Sequence, residues 1–269
     1  MLRRMKRTVL LAFALAWSVL ACDEDKKKAE LLSKAGDSAA PTTTDAAASV
    51  ATTTASAAAS AEPAKPKVCP DGPELKVDDP DMEAELRLKL NKPKDPLKVS
   101  DLSNVRSLNL TKKKTLDELD PCILPKLVNL KHLYLPPGKL RDLKPIAGLT
   151  QLESLRASIT EVEDLKPLEK LVLLDRLDLG RTHIRDLKPL ASLVNLTELE
   201  LDDTQVSDLS PLAKCKKLEK LHIKHTNVTD VSPLKDLTKL KLLSVEGSAI
   251  TNLDTLQPLV GRGLRVATK

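Results

Sequence analysis

Aromatic side chains are nearly absent: Phe13, Trp17 and Tyr134 are the three in 269 residues. Glycine is scarce too, at eight. Stacking sites for bases or sugars need aromatic platforms, and phosphate-cradling loops need clustered glycines, so both readings lose their footing. The longest apolar run, from Thr8 to Ala21, has about 14 residues, too few for a comfortable membrane span. No nucleophile elbow, metal-ligand motif or phosphate loop occurs. What is present is a chain 41% hydrophobic and 30% charged. That composition is sufficient for a core.

The first residues carry an address. Arg3, Arg4, Lys6 and Arg7 precede the apolar run, the order of a secretory signal. The run closes on Val19-Leu20-Ala21-Cys22, which resembles the lipobox of bacterial lipoproteins. The resemblance implies cleavage before Cys22 and a diacylglycerol on its sulfur. Residues 1–21 are therefore expected to be a lipoprotein signal peptide, and Cys22 a lipid anchor. Removing that segment leaves 39 Lys and Arg against 38 Asp and Glu, a net charge of +1. The basic balance belongs largely to the discarded piece, and a nucleic-acid partner loses its electrostatic basis.

Residues 22–68 read as a tether. From Ala35 to Pro66 the composition is mostly Ala, Ser, Thr and Pro, with little apolar surface to offset the entropy of ordering. A coil of this length reaches roughly 40 Å from its anchor.

Beyond it lies a repeat of period 22. Leu130, Leu152, Leu174, Leu196, Leu218 and Leu240 open six successive units. Positions 1, 4, 6, 11, 14, 17 and 20 of each unit are expected to face inward, and 40 of these 42 are Leu, Ile or Val. A period of this size means a solenoid. The LxxLxL start predicts a short strand. The following Asp-Leu/Val-x-Pro-Leu/Ile, with Asp142, Asp164, Asp186, Asp208 and Asp230, predicts a capped turn with proline in its first positions. Only about ten residues then remain, so the opposite side is expected to hold short 3-10 turns.

These units, running from 130 to 253, resemble bacterial leucine-rich repeats of the internalin type. The fold implied is an α/β solenoid: a parallel sheet on the concave face, 3-10 turns on the convex face and a short helical N-cap. That family usually has Asn at position 9, whereas Thr182, Thr204 and Thr226 stand there in this sequence. A threonine hydroxyl can still bond the turn backbone. Residues 69–104 are expected to form the N-cap, its helix opened by Pro80 with Met82, Leu86 and Leu90 on one face. The repeat domain is expected over 105–269. It begins with a stretched unit carrying Leu108, Leu110 and Leu116 inward and ends with a half-strand at Gly263–Val266.

Cys69 and Cys122 flank the cap in an oxidising compartment, so a disulfide between them is expected, the alternative being two free thiols. Cys215 occupies an inward position and reads as core. His222 and His225 are three apart on a strand end and diverge, so no metal site is expected.

Positions 3, 5 and 7 of each unit line the concave face, where opposite charges meet between rungs. The pairs expected are Arg156 with Asp178, Arg176 with Glu198, and Asp202 with Lys224. Asp178 and Glu200 face each other, yet no catalytic set accompanies them and an open face shifts pKa values weakly, so no enzyme and no cofactor are expected. A Pro136-Pro137-Gly138 interruption replaces the usual turn beside His132 and Tyr134. Tyrosine is enriched in binding hot spots. The candidate protein-binding residues are His132, Tyr134, Arg156, Asp178, Glu200, His222 and Lys224. The reading is a lipid-anchored lipoprotein of the bacterial cell envelope, non-catalytic, binding an unknown protein partner, with no nucleic acid and no small-molecule substrate. The alternative is a structural spacer or cell-wall contact without a specific ligand on the concave face.

Overall fold

The computed structural model describes residues 67–269. The signal segment, Cys22 and nearly all of the expected tether lie outside the described residues.

Eight three-residue strands form one parallel sheet, each hydrogen-bonded to the next in chain order. They are β1 (Ser107–Asn109), β2 (His132–Tyr134), β3 (Ser154–Arg156), β4 (Arg176–Asp178), β5 (Glu198–Glu200), β6 (Lys220–His222), β7 (Leu242–Ser244) and β8 (Arg265–Ala267). The register advances by one repeat per rung, so Leu133, Leu155, Leu177, Leu199, Leu221 and Leu243 stack in line. This is a leucine-rich-repeat solenoid, with 3-10 turns returning the chain between strands.

The inward leucine positions form one core. All 42 inward repeat positions are buried except Ile250 and Leu253, which are partly buried in the last unit. Ala157 and Cys215, the two that break the Leu/Ile/Val rule, are fully buried as well. Burial pushes the Cys215 thiol up to about 11, which makes it inert packing material.

Two polar devices recur with the repeat. Each turn aspartate accepts a backbone N–H two residues on: Asp142, Asp164, Asp186, Asp208 and Asp230 do so at 2.7–2.9 Å. Each position-9 threonine is buried and donates its hydroxyl to the carbonyl three residues back, at 2.7–2.9 Å. Thr160 joins Thr182, Thr204 and Thr226 in that column. A buried carbonyl without a donor is costly, and the hydroxyl removes that cost inside the molecule.

The N-terminal edge is closed by α1 (Pro80–Leu90), whose first N–H groups are capped by Asp79. Met82 and Leu86 are buried against the core. Glu85, also buried, accepts the backbone N–H of Asn109 at 3.2 Å, so the free edge of β1 finds its acceptor in the cap. Lys89 neutralises that carboxylate at 3.3 Å. A disulfide joins Cys69 to Cys122 and fastens the segment before α1 to the stretched first unit. At the other end a 3-10 turn leads into α2 (Gln257–Val260), and β8 leaves Arg265 exposed along the last edge. Residues 67–269 hold their own core, a cap at each end and a disulfide, the features of an independently folding domain.

Candidate binding surface

In a strand, neighbouring side chains alternate between faces. The central leucine of each repeat strand is buried, so its two neighbours stand on the open, concave face. His132 and Tyr134 come from β2, Arg156 from β3, Asp178 from β4, Glu200 from β5 and His222 from β6. Tyr134 pairs in register with Asn109 on one side and Arg156 on the other. Arg156 is followed by Asp178, then Glu200, then His222. Lys224, two residues past β6, continues the same face. The fold therefore gathers all seven candidate residues on one side of one sheet.

The ion pairs differ in part from those expected. Arg156 and Asp178 do pair, at 3.1 Å, with Ser158 donating to Asp178 at 3.1 Å. Arg176 turns instead to its chain neighbour Asp175 at 3.7 Å, and Glu198 pairs with Lys220 at 3.5 Å. Asp202 accepts the Lys224 backbone N–H at 2.7 Å, while the Lys224 ammonium reaches Glu246 at 3.6 Å. In a parallel sheet every residue has two lateral neighbours. Glu198 lies between Arg176 and Lys220, and with the arginine held by Asp175 the carboxylate goes to the lysine.

One place in this ladder stays unpaired. No hydrogen bond or ion pair reaches the Glu200 carboxylate among the described residues. Partial burial, then the facing charges of Asp178 and Asp202, hold its carboxyl above the ordinary range. Beside it Gly180 occupies position 7, where neighbouring rungs carry Ser158 and Asp202. A side chain there would begin 3.6 Å from both Asp178 Oδ1 and Glu200 Oε1. Its absence opens a recess of about 230 Å³ between Arg156, Asp178, Glu200 and Asp202. The repeat offsets put Gly180 on the concave face, but only the register shows that it leaves a gap beside an uncompensated carboxylate.

His132 is half-buried, and its Nδ1 is shut off from solvent without a hydrogen-bond partner. The His225 Nδ1 lies 3.1 Å from Asp203. Among the described residues no cluster of three His, Cys, Asp or Glu side chains has the geometry to hold a metal ion. No helix of the described residues is long and apolar enough to cross a membrane.

The Pro136-Pro137-Gly138 interruption has a packing role. The backbone of Leu116 lies directly over Gly138, where a Cβ would overlap the Leu116 carbonyl oxygen. The Leu116 N–H donates to Pro137 at 3.0 Å, and the Gly138 N–H to Ile159 at 3.1 Å. The stretched first unit thus folds back onto the second rung at this point.

The leucine-rich-repeat family model, two copies, matches residues 172–214. Among solved structures the chain is similar to an internalin (inlF) of Listeria monocytogenes, at 28% identity and a TM-score of 0.62. That match covers 70% of this chain and 55% of the internalin, so the chain spans about half of that relative's length. Internalin C2 of the same organism matches at 26% identity and a TM-score of 0.58, covering 71% of this chain and 93% of that one. A leucine-rich-repeat protein of Leptospira interrogans shares the fold at 20% identity and a TM-score of 0.50, covering 62% of this chain and 50% of that one. No curated protein matches in sequence. The chain carries leucine-rich repeats in an internalin-like fold, and such folds commonly mediate protein–protein interaction.

Proposed function

We propose that the protein is a non-catalytic binding module of the bacterial cell envelope, held to its membrane by a lipid on Cys22. Its concave face would receive a protein partner. The observation that carries this reading is one gap in a paired ladder: Arg156 holds Asp178 and Lys220 holds Glu198, while the Glu200 carboxylate has no partner and borders an open recess. A lysine or arginine side chain of the partner would satisfy Glu200 and fill the space above Gly180. Tyr134 supplies the one large aromatic contact, and Arg156 sits between them. The rigid stack of rungs presents these groups already ordered, so little entropy is lost on binding.

The self-pairing of Arg156 with Asp178 and of Lys220 with Glu198 also suits a second reading, a solvated structural face without a ligand. Capture from cross-linked native envelopes separates the two. A binding module enriches a defined protein that a folded Tyr134→Ala/Arg156→Glu variant does not recover; a spacer shows no difference between them. Anchoring is tested separately by metabolic labelling with a fatty acid, which a Cys22→Ser variant should lose.

A further inference from the structure

One edge of the solenoid, away from the concave face, sets apolar side chains and lysines without a carboxylate partner in a single row, Lys217 donating only to the Asn195 amide oxygen at 2.7 Å and Lys216 to the Asp236 carbonyl at 3.4 Å. The chain returns from the convex turns to the strands through positions 21 and 22 of each unit, and in a stacked repeat these positions form a continuous row. Five of the eight exposed large apolar residues of the described region fall in it: Val128, Val172, Leu173, Val194 and Val260. From residues 128–129 to residues 260–261, no rung places an Asp or Glu at either position. Lys216, Lys217 and Lys239 occupy the row itself, all exposed. On its convex border Glu169 and Asp236 are outnumbered by Lys170, Lys214 and Lys235. None of these six lysines is paired with a carboxylate among the described residues. On the strand border the acids Glu153, Asp175 and Glu219 are already matched by Lys131, Arg176 and Lys241. Seven rungs at about 4.8 Å give the row a length of about 30 Å.

The valines are not there for packing. Thr150 and Thr238 occupy the same position in their rungs, equally exposed, so a polar side chain of the same shape serves the fold as well. The row is also no groove. It is a line of short apolar tips bordered by long lysines, a shape that a flat partner contacts along its whole length. Charge decides the sign of that partner: it is anionic.

We propose that this edge rests on an anionic lipid surface, with the lysines among the headgroups and the valine and leucine tips against the interface. Without an aromatic in the row, attraction is mainly electrostatic and falls steeply with salt. The inference is independent of the lipid on Cys22 and of any concave-face partner.

The test is sedimentation of residues 67–269 with vesicles. The lipids are phosphatidylcholine alone, or phosphatidylcholine with one quarter phosphatidylglycerol, each at low and at high NaCl concentration. Binding to the anionic vesicles at low salt, lost at high salt and absent from neutral vesicles, is the expected result. Lys214→Glu/Lys216→Glu/Lys239→Glu should weaken it at least tenfold. The isosteric set Val128→Thr/Val172→Thr/Val194→Thr/Val260→Thr should weaken it severalfold while circular dichroism and the urea midpoint stay near wild type. Absence of binding to anionic vesicles, or equal binding by the charge-reversed variant, overturns the proposal. So does an acidic protein segment that takes this edge while the vesicles remain free.

Discussion

Replacing Gly138 with alanine should destabilise the protein out of proportion to one methyl group. A Cβ at this position would overlap the Leu116 carbonyl oxygen and lie 2.5 Å from the Leu116 nitrogen, inside any van der Waals contact. The obstacle is backbone, so no rotamer change relieves it. Overpacking of this kind costs about 1–3 kcal/mol. Displacing Leu116 also breaks its 3.0 Å hydrogen bond to Pro137. That is a further loss of about 1 kcal/mol. The sum is about 2–4 kcal/mol, which moves a urea midpoint down by about 1 M or somewhat more at ordinary m-values. Gly148→Ala is the matched control. Nothing lies within 4 Å of its Cβ position and its backbone is not left-handed, so the midpoint should hold or rise slightly. Urea titration by circular dichroism reads both. If the two variants unfold together, the Pro-Pro-Gly segment is not a packing junction and the argument from steric contact fails.

Thr204→Val keeps the shape but leaves the Leu201 carbonyl without its donor, which sits 2.7 Å away in the native protein. By urea titration the change should cost about 1–3 kcal/mol. Replacing both Cys69 and Cys122 with alanine removes a cross-link across a sequence separation of 53. About 2–4 kcal/mol should be lost, with amide exchange rising mainly in α1 and β1. Cys215, with its thiol pushed up to about 11, should resist a thiol reagent at mildly alkaline pH until the protein unfolds. Glu200→Gln should raise the urea midpoint at neutral pH and leave it unchanged in acid. A carboxyl raised in the folded state opposes folding once ionised, and that opposition vanishes as pH falls below its unfolded value. Asp208 and Asp230 have the opposite sign. Serine hydroxyl and backbone N–H bonds lower both carboxyls, so their contribution is present above the unfolded value and lost as pH falls through the folded one.

The repeat made most of this fold legible. Forty inward positions of one chemical type, at fixed offsets, leave one way to build a core, and the turn aspartates and buried threonines follow from the same period. The cap was legible because α1 carries its own signals: Pro80 at its start, then Met82, Leu86 and Leu90 on one face, of which Met82 and Leu86 are buried and Leu90 partly so; the Asp79 cap was not read from the sequence. What the sequence left open is lateral. Offsets say which residues share a face, but not which of two neighbours a carboxylate chooses; hence Glu198 went to Lys220 and Arg176 to Asp175. The role of Gly138 depends on the backbone of Leu116, in a unit of irregular length where the period gives no guidance. The left-handed column at Ile159, Arg181, Asp203, His225 and Gly247 was hidden for another reason: only one of its members is glycine, the residue that usually marks such a backbone.

The central claim is that the face around Tyr134, Arg156 and Glu200 meets a protein. The most direct measurement places a photo-reactive amino acid at Tyr134 in one variant and at Lys188, on a 3-10 turn, in another. Both are then irradiated in cells that produce the protein. A discrete adduct from position 134, absent from position 188 and lost when Glu200→Lys is added, is the predicted result. Adducts of equal yield from both positions, or none from position 134, would contradict the account.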